Sequence, residues 1–334
     1  MKMAVFSTKP YDAKFLVAAN ARAGHELNFF EEKLSPHTAK LAEGHSAVCA
    51  FVNDILNART LDVLHGQTVR FVALRCAGFN QVDVRYASSL GLKIAHVPAY
   101  SPYAVAEFAL ALVLALNRRI HRAYNRVRDG NFSIDGLLGF DLHEKTVGIV
   151  GTGKIGRVLS GLFTGFGVNL LGYDLYQSRE FIDLGGSYVD LDTLFAESDI
   201  ISLHCPLTPQ TFHLIDAESI AKMKTGVMII NTSRGALVDA SAVIEGLKSE
   251  QIGYLGLDVY EQEADLFYEN LSERIIQDDV LQRLVTFPNV IVTSHQAYFT
   301  DRALENISNT TVANLTAFER GDTLVNEVTL ALLH

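Results

Sequence analysis

Short apolar runs alternate with segments of helical periodicity along the whole chain, and this alternation restricts the folds open to it. Among the first hundred residues the apolar runs are 4–6, 47–51, 69–74 and 93–97. Residues 13–23 and 80–90 have the pattern of helices between those runs. Strands that are apolar almost throughout are typical of sheets covered by helices on both faces. The pattern therefore predicts an α/β fold with parallel sheets and crossover helices.

A second series of apolar runs follows a long helical segment. These runs are 146–150, 169–173, 200–203, 227–231, 254–259 and 290–293. Ser101 and Pro102 are suited to begin a helix, which we expect to continue to about Asp129 and to connect two domains. A last helix, from Asp301 to about Gly321, is expected to return the chain to the first domain.

The length supports this division, because 334 residues exceed the usual size of one hydrophobic core. We therefore expect residues 1–100 and 299–334 to form one domain and residues 101–298 to form the other. The second domain would contain the second series of strands.

Composition and charge exclude several classes of protein. Hydrophobic residues make up 49% of the chain and charged residues 20%, which are ordinary proportions for a globular enzyme. A formal net charge of −10 argues against a nucleic-acid partner. The longest apolar stretch, residues 104–116, contains Glu107 and is too short to span a bilayer. We therefore expect no membrane partner either.

The cysteines Cys49, Cys76 and Cys205 are far apart and show no paired spacing. They suggest neither a disulfide framework nor a zinc site, and we expect no bound metal. Free thiols fit a reducing compartment, and the first residues form too short an apolar run for a signal peptide. The sequence therefore predicts a cytoplasmic protein.

A glycine motif directly follows the apolar run at 146–150 and opens a helical segment. Gly151, Gly153 and Gly156 have the GxGxxG spacing of a dinucleotide site. The first glycine makes the tight turn, the second lets the backbone approach a pyrophosphate, and the third lets helix and strand pack closely. The amides at the start of the helix would face the phosphates. Ordinary turn glycines are the alternative.

An acidic residue at the end of the next apolar run strengthens this prediction. Asp174 lies 23 residues after Gly151, where a carboxylate would accept hydrogen bonds from the adenine ribose and repel a 2′-phosphate. The sequence therefore favours NAD over NADP as the cofactor. A surface acid without a ligand is the alternative for Asp174.

Three further strand ends bring an arginine, an acid and a histidine to one edge of the predicted sheet. Arg234 follows the run at 227–231, and its planar cation suits a carboxylate. Glu263 and His295 follow the next two runs. Reduction of a 2-keto acid needs a cation for the carboxylate and an acid that protonates the developing alkoxide. Taken singly, each residue also has a structural interpretation, as a salt-bridge partner, a solvated acid or a core histidine.

Motifs along the whole chain resemble those of the D-isomer-specific 2-hydroxyacid dehydrogenases. The matching segments are 75–83, 97–102, 151–156, 231–235, 258–263 and 294–297. The resemblance implies two Rossmann-like domains, each a doubly wound parallel sheet, with a flavodoxin-like substrate domain. It implies that pyruvate is reduced to D-lactate with NADH. Larger branched-chain or aryl 2-keto acids are the alternative substrates, and a non-catalytic NAD(H)-sensing protein is the alternative function.

The resemblance also implies roles for individual residues. Arg234 would orient the substrate, His295 would be the acid and base, and Glu263 would hold and charge His295. The expected substrate-binding residues are Arg75, the backbone of Ala77 and Gly78, Tyr100 and Tyr298. Tyr100 has a simpler interpretation as a domain-interface aromatic. We expect reduction to be favoured at lower pH than oxidation, because the histidine must be protonated to donate.

For the cofactor, the resemblance adds residues from several loops to the glycine motif. The expected cofactor-binding residues are Gly151, Gly153, Lys154, Ile155, Gly156, Asp174, Cys205, Pro206, Thr232, Ser233 and Asp258. A backbone lining of the nicotinamide side is favoured for Cys205 over a nucleophile or metal ligand. The side chain of Lys154 could instead face solvent. The resemblance also places the helix after Ser101 at a subunit interface, so we expect a homodimer or higher homo-oligomer.

Overall fold

The computed structural model describes residues 1–263 and 266–333 and divides the chain into two compact units. The first unit contains residues 1–101 and the C-terminal segment from Tyr298 onward, and the second contains residues 102–297. The expected boundary placed Tyr298 in the second domain. Its ring instead lies against Phe51 and Tyr100 of the first unit. His334, the end of the expected C-terminal segment, lies outside the described residues.

The strands are short and closely follow the apolar runs. In chain order they are β1 (Lys2–Val5), β2 (Glu26–Phe29), β3 (Ala47–Ala50), β4 (Phe71–Leu74), β5 (Lys93–Ala95), β6 (Thr146–Val150), β7 (Asn169–Tyr173), β8 (Ser187–Tyr188), β9 (Ile200–Leu203), β10 (Val227–Asn231), β11 (Ile252–Leu257) and β12 (Val290–Val292). The bounds predicted for β6, β7, β9 and β10 are confirmed. The sequence did not predict β2 and β8, which lie at sheet edges and carry little apolar signal.

The helices connect these strands. They are α1 (Pro10–Asn20), α2 (Ala58–Gly66), α3 (Val84–Ser89), α4 (Pro102–Asn117), α5 (Ile120–Arg128), α6 (Lys154–Thr164), α7 (Arg179–Asp183), α8 (Leu191–Glu197), α9 (Ala217–Lys222), α10 (Ala240–Lys248), α11 (Asp279–Thr286) and α12 (Asp301–Arg320). Of the helices in the described part of the chain, none combines the length and apolar character needed to cross a membrane.

The sheet of the first unit has the strand order β2-β1-β3-β4-β5, with every pair parallel. This is the flavodoxin-like order. Neighbouring residues of β1 enter different cores, because side chains alternate between the faces of a strand. Met3 packs with Leu16 of α1 and Leu315 of α12 on one side, whereas Ala4 packs with Leu61 of α2 on the other.

The sheet of the second unit has the order β12-β11-β10-β9-β6-β7-β8, again with parallel pairs. The order reverses between β6 and β9, as in a Rossmann fold, and ligands of such sheets bind at this switch point beyond the carboxyl ends of the strands. The two parallel sheets confirm the predicted α/β fold. They also confirm the Rossmann-like and flavodoxin-like topologies of the two units.

The helix expected from Ser101 to Asp129 is two helices, so that expectation was wrong. Arg119, between α4 and α5, has a φ of +48°, in the left-handed region that cannot continue an α-helix. The buried side chain of Asn117 fixes the end of α4, since its amide both donates to and accepts from the backbone of Phe140. The apolar face of α4 is buried, whereas α5 has no buried residue.

Candidate active site

The predicted motifs of the second unit all lie where strands end. Because β6, β7, β9, β10, β11 and β12 run parallel, the loops that follow them share one edge of the sheet. The glycine motif follows β6, Asp174 follows β7, and Arg234 follows β10. The loop after β11 carries Glu263, and the loop after β12 carries His295.

The segment Gly151–Gly156, here called the glycine loop, packs as a dinucleotide-binding turn requires. Gly151 has a φ of +95°, and a β-carbon there would lie 2.6 Å from the amide nitrogen of Cys205. A β-carbon on Gly156 would lie 2.1 Å from the carbonyl oxygen of Gly151. Both positions therefore exclude any side chain. Gly153 is the N-cap of α6, and Lys154 and Ile155 are its first residues, so the amides at the start of that helix belong to this loop.

The carboxylate of Asp174 is held beside the glycine loop by backbone and side-chain donors. One oxygen accepts from the amide and hydroxyl of Thr152, at 2.7 and 3.2 Å. The other accepts from the amide of Tyr176, at 2.9 Å. Each carboxylate oxygen has further lone pairs, so the group can still accept hydrogen bonds from a ribose. Thr152 was not among the predicted site residues, and its type alone carries no signal.

The loops around the carboxyl edge fit a dinucleotide. The hydroxyl of Thr232 is buried and has no hydrogen-bond partner among the described residues, as expected for a group that meets a ligand. The space beside Gly153 is open, since a β-carbon at this residue would have no described atom within 4 Å. Together with the start of α6, these features would supply an unpartnered hydroxyl, free space and amide donors to a bound NAD.

Cys205 and Ser233 belong to the same group of loops. The hydroxyl of Ser233 donates to the carbonyl oxygen of Cys205, at 2.7 Å, which ties the loop after β10 to the loop after β9. Burial raises the pKa of the Cys205 thiol to about 11, so the thiol is protonated near neutral pH. This favours a lining role for Cys205 over a nucleophile. Pro206, the next residue, is exposed.

His295, Glu263 and Asp258, here called the histidine cluster, form one connected network. Nδ1 of His295 lies 2.7 Å from Oε1 of Glu263. Because an ionised carboxylate only accepts hydrogen bonds, Nδ1 carries the proton and Nε2 is the nitrogen that can exchange one. The second oxygen of Glu263 accepts from the amide of Tyr260, at 3.0 Å, which fixes the carboxylate on its own loop.

The backbone of His295 is held in a strained conformation by neighbouring groups. Its φ is +54°, which is uncommon for a residue with a side chain. The amide of His295 donates to the carbonyl oxygen of Asp258, at 2.7 Å, and the hydroxyl of Tyr268 donates to the carbonyl oxygen of His295, at 2.9 Å. Tyr268 was not among the predicted site residues.

The carboxylate of Asp258 binds the turn that contains His295. It accepts from the hydroxyl of Thr293 at 2.6 Å and from the amides of Gln296 and Ala297 at 2.9 and 2.8 Å. Burial raises the pKa of this carboxyl, and these three donors oppose the shift. Asp258 is fully buried, so the structure accounts for its side chain as an anchor of the turn. Its expected contact with the cofactor stays a prediction.

Arg234 lies on a loop that is itself closely packed. The buried amide of Asn231 donates to the carbonyl oxygen of Arg234, at 2.8 Å. A β-carbon on Gly235 would lie 2.1 Å from the backbone of Tyr260, so the loop after β10 is in contact with the loop that leads to Glu263. Among the described residues, the guanidinium of Arg234 donates only within its own loop, to the carbonyl oxygen of Ser233 at 2.7 Å. Its other donors suit a carboxylate.

Among the expected substrate residues of the first unit, Arg75 lies inside the protein. Its side chain is 2% exposed and pairs with Asp12 at 3.4 Å, while it donates to the carbonyl oxygen of Ser7 at 2.8 Å. It also stacks over the ring of Phe51. The structure therefore shows Arg75 as a support of the loop that begins after β4. Direct binding of substrate by Arg75 stays a prediction.

The loop after Arg75 contains backbone amides that its own carbonyl groups do not use. The carbonyl oxygen of Ala77 lies 2.8 Å from Nδ1 of His96, and that of Gly78 accepts from the thiol of Cys76 at 3.2 Å. Within the described residues, the amides of Ala77 and Gly78 have no acceptor. Amides without partners suit an anionic ligand.

The rings of Tyr100 and Tyr298 meet edge to face, with centroids 6.1 Å apart. Tyr298 is 8% exposed, and burial raises the pKa of its hydroxyl. That hydroxyl pairs with the hydroxyl of Tyr11, a partner that the sequence did not indicate. The predicted roles of both tyrosines toward the substrate stay predictions.

Known proteins are similar to this chain in sequence and in fold. Residues 110–297 match the family model described as D-isomer specific 2-hydroxyacid dehydrogenase, NAD binding domain. The D-lactate dehydrogenase of Escherichia coli (strain K12) is 54% identical to this chain, over 98% of this chain and 100% of the relative.

Solved structures of D-lactate dehydrogenases are also similar to this chain. The apo-structure of D-lactate dehydrogenase from Escherichia coli has a TM-score of 0.91 and 52% identity, and the match covers 98% of this chain and 100% of that one. D-lactate dehydrogenase with NAD+ from Lactobacillus jensenii has a TM-score of 0.83 and 31% identity, with 98% and 100% covered. The chain belongs to the D-isomer-specific 2-hydroxyacid dehydrogenase family, and it is an NAD-dependent oxidoreductase.

Proposed function

We propose that this protein reduces pyruvate to D-lactate with NADH and catalyses the reverse reaction. The observation that carries the proposal is the 2.7 Å contact between His295 and Glu263, at the same sheet edge as the glycine loop. A dinucleotide-binding protein needs no ionisable pair of this kind, whereas a dehydrogenase needs a proton donor. The relative with 54% identity, a D-lactate dehydrogenase, supports this choice of substrate.

The residues of the site would divide the chemistry among them. When bound, NADH supplies the hydride that adds to the carbonyl carbon of the substrate. His295 donates the proton from Nε2 to the substrate oxygen as negative charge develops there. Glu263 stabilises the imidazolium before this transfer, and Arg234 pairs with the substrate carboxylate through its planar fork. In the reverse direction, neutral His295 takes the proton back.

The first unit would contribute backbone groups. We propose that the amides of Ala77 and Gly78 donate to the substrate carboxylate, since neither has an acceptor among the described residues. Arg75 and Asp12 would hold the loop that carries these amides. This division of roles accounts for the burial of Arg75, whose guanidinium pairs with Asp12.

A panel of keto acids tests the proposed substrate. NADH consumption is measured with pyruvate, 2-ketoisocaproate and phenylpyruvate, and we expect the highest kcat/KM for pyruvate. A pocket that differs by one methylene discriminates by roughly 10–200-fold, so the ranking should be clear. The configuration of the product is then determined enzymatically, with D-lactate expected. Tight NADH binding without turnover of any keto acid would instead support a nucleotide-sensing protein.

We also propose that the protein is a homodimer, with the interface on α5 and the segment after it. This surface exposes an unusual number of large apolar side chains for one region. They are Ile120, Tyr124, Val127, Phe132, Ile134 and Leu138. Leu138 is 86% exposed and Ile134 is 81% exposed, which is costly in water unless a partner covers them. A second copy is the occupant that the resemblance implies.

The mass in solution tests this interface. Sedimentation should give a dimer or higher homo-oligomer for the wild-type protein. The Leu138→Glu variant should dissociate into monomers at a higher protein concentration than the wild-type protein, because a charge would be buried in the apolar contact. An exposed apolar residue elsewhere, as in Leu175→Glu, is the matched control and should leave the mass unchanged. A monomeric wild-type protein would contradict the proposal.

A further inference from the structure

Tyr188, on the short strand β8, is connected to Asp174 by hydrogen bonds through Thr152. The hydroxyl oxygens of Tyr188 and Thr152 lie 2.6 Å apart. The hydroxyl of Thr152 in turn lies 3.2 Å from Oδ2 of Asp174. The amide of Ser178 donates to the hydroxyl of Tyr188, at 2.7 Å. All four residues belong to the second unit, and Thr152 is 1% exposed.

The direction of these hydrogen bonds follows from counting protons. Asp174 accepts from the amides of Thr152 and Tyr176, and a carboxylate has no proton to donate. The single proton of the Thr152 hydroxyl must then point to Asp174. The Tyr188 hydroxyl therefore donates to Thr152, and its oxygen accepts from the amide of Ser178. Each donor is used once, and the chain of bonds requires a group at residue 188 that both donates and accepts.

The same contacts fix the segment from Asp174 to Ser178 at both ends. Its first residue is tied to the glycine loop through Thr152, and its last residue is tied to Tyr188. Between them, Leu175 and Tyr176 are more than 80% exposed, so little else restrains this segment. The position of the Asp174 carboxylate therefore depends on hydrogen bonds more than on packing.

We infer that Tyr188 is a positioning residue for cofactor selectivity, which acts on Asp174 through Thr152. A carboxylate held in one place can accept hydrogen bonds from both hydroxyls of the adenine ribose, and it opposes the charge of a 2′-phosphate at that place. A carboxylate that is free to turn into solvent loses both effects. The inference rests on the role proposed above for Asp174, and it assigns the preference for NADH over NADPH partly to a hydroxyl outside the glycine motif.

Removing the hydroxyl alone is feasible, because the ring of Tyr188 is held separately. It packs against the buried ring of Phe181, with centroids 5.0 Å apart. Tyr188→Phe should therefore keep this packing and lose only the two hydrogen bonds. Tyr254→Phe is the matched control. Its ring is also half-buried in the second unit, where it packs against Phe140.

The experiment measures the Kd values of NADH and NADPH by nucleotide fluorescence in the absence of substrate. A hydrogen bond contributes roughly 0.5–1.5 kcal/mol, so at about 1.4 kcal/mol per factor of ten Tyr188→Phe should lower the ratio of the NADPH Kd to the NADH Kd by about 2–12-fold. Thr152→Val should lower the ratio similarly, whereas Thr152→Ser keeps the hydroxyl and should restore it. The double variant Tyr188→Phe/Thr152→Val should have at least the Kd ratio of the less selective single variant, because both substitutions interrupt the same chain of hydrogen bonds.

The outcomes separate this inference from the proposed function. If Asp174→Ser lowers the ratio while Tyr188→Phe behaves like Tyr254→Phe, the inference about Tyr188 is overturned and the role of Asp174 stands. If Asp174→Ser leaves the ratio unchanged, the role of Asp174 itself fails. Reduction of pyruvate by the wild-type protein is measured separately. If Tyr188→Phe does not fold, the two Thr152 variants still test the inference, because Tyr188 reaches Asp174 through the Thr152 hydroxyl. Equal Kd ratios for Thr152→Val and Thr152→Ser would overturn it.

Discussion

Two aspartates of the second unit occupy equivalent positions but differ in what surrounds them. Asp174 directly follows β7 and Asp258 directly follows β11, both at the carboxyl edge of one parallel sheet. Asp174 is half-buried, between the glycine loop and an exposed segment. Asp258 is fully buried, and its carboxylate accepts from a hydroxyl and two amides of the turn that contains His295.

The difference in burial predicts different roles for the same residue type. The half-buried carboxylate of Asp174 retains lone pairs for a ligand, so its contribution is expected in cofactor selectivity. The carboxylate of Asp258 is fully buried and binds the turn that contains His295, so its contribution is expected in the geometry of His295. Loss of the histidine cluster should therefore affect turnover, and loss of the Asp174 contacts should affect nucleotide binding.

The largest effect is expected from His295→Gln. Loss of general acid–base catalysis should lower kcat by on the order of 10²–10⁴-fold in both directions. The Kd of NADH should stay within about twofold, because the glycine loop and Asp174 are untouched. Steady-state kinetics and fluorescence titration measure the two quantities. A kcat within tenfold of the wild-type value would show that His295 is not the acid.

A smaller effect is expected from Asp258→Asn, and it compares the two aspartates directly. The amide nitrogen of the new side chain would face at least one donor, either the amide of Ala297 or the pair formed by Thr293 and Gln296. An unsatisfied buried donor costs about 1–3 kcal/mol, and displacement of His295 by about 1 Å lowers turnover by on the order of 10²-fold.

Asp174→Asn is the matched substitution at the other aspartate. It should leave kcat at saturating NADH and the free energy of unfolding nearly unchanged, and it should reduce the preference for NADH. Urea unfolding and initial rates distinguish the two variants. Equal losses of turnover in both would remove the functional difference between the two aspartates.

Glu263→Gln tests the charge of the histidine cluster. The neutral amide keeps a hydrogen-bond acceptor for Nδ1 of His295 but removes the negative charge that favours the imidazolium. The pH at which pyruvate reduction falls to half its maximum should therefore move downward, and lactate oxidation should extend to lower pH. Asp239→Asn, on a loop outside the cluster, is the control and should not move either profile. An unchanged profile in Glu263→Gln would refute the pairing.

The smallest effect is expected at His204, whose carbonyl lies against Gly151 of the glycine loop. Burial lowers the pKa of His204 from 6.5 to about 4. On acidification, His204 therefore binds a proton at a higher pH in the unfolded chain than in the folded protein. The free energy of unfolding decreases as the pH falls from about 6.5 toward 4. Nε2 of His204 lies 2.8 Å from the hydroxyl of Ser202, so His204→Gln can keep a polar contact there.

Urea unfolding near neutral pH and at about pH 5 measures this loss. The wild-type protein should lose more stability on acidification than His204→Gln does, by on the order of 1–2 kcal/mol. Substitution of the exposed His143 by Gln is the control and should leave the acid sensitivity at the wild-type level. If His204→Gln loses as much stability on acidification as the wild-type protein does, His204 is not the cause of that loss.

Much of the fold could be predicted because it is encoded locally. The apolar runs located β6, β7, β9 and β10 with their observed ends, since a strand covered on both faces must be apolar throughout. The break between α4 and α5 could not be predicted, because the side chain that ends α4, Asn117, bonds to the backbone of Phe140 far along the chain. The edge strand β8 has two residues and no apolar pattern.

The candidate site divides in the same way. The glycine motif and the types of Arg234, Glu263 and His295 were visible in the sequence, because phosphate binding and proton transfer need particular residues. The sequence could not show that Arg75 is buried against Asp12, because that contact joins residues distant in the chain.

The residue types alone indicate which chemistry this protein can carry, since close backbone approach needs a glycine and proton exchange near neutral pH suits an imidazole. Which of these two similar aspartates is buried in the turn of His295, and which stays half-buried beside the glycine loop, depends on the tertiary structure. Asp258 and Asp174 differ in burial and in the donors that surround them, and those donors come from loops that only folding brings together. The same holds for Tyr188, whose hydroxyl reaches Asp174 through a residue of another loop.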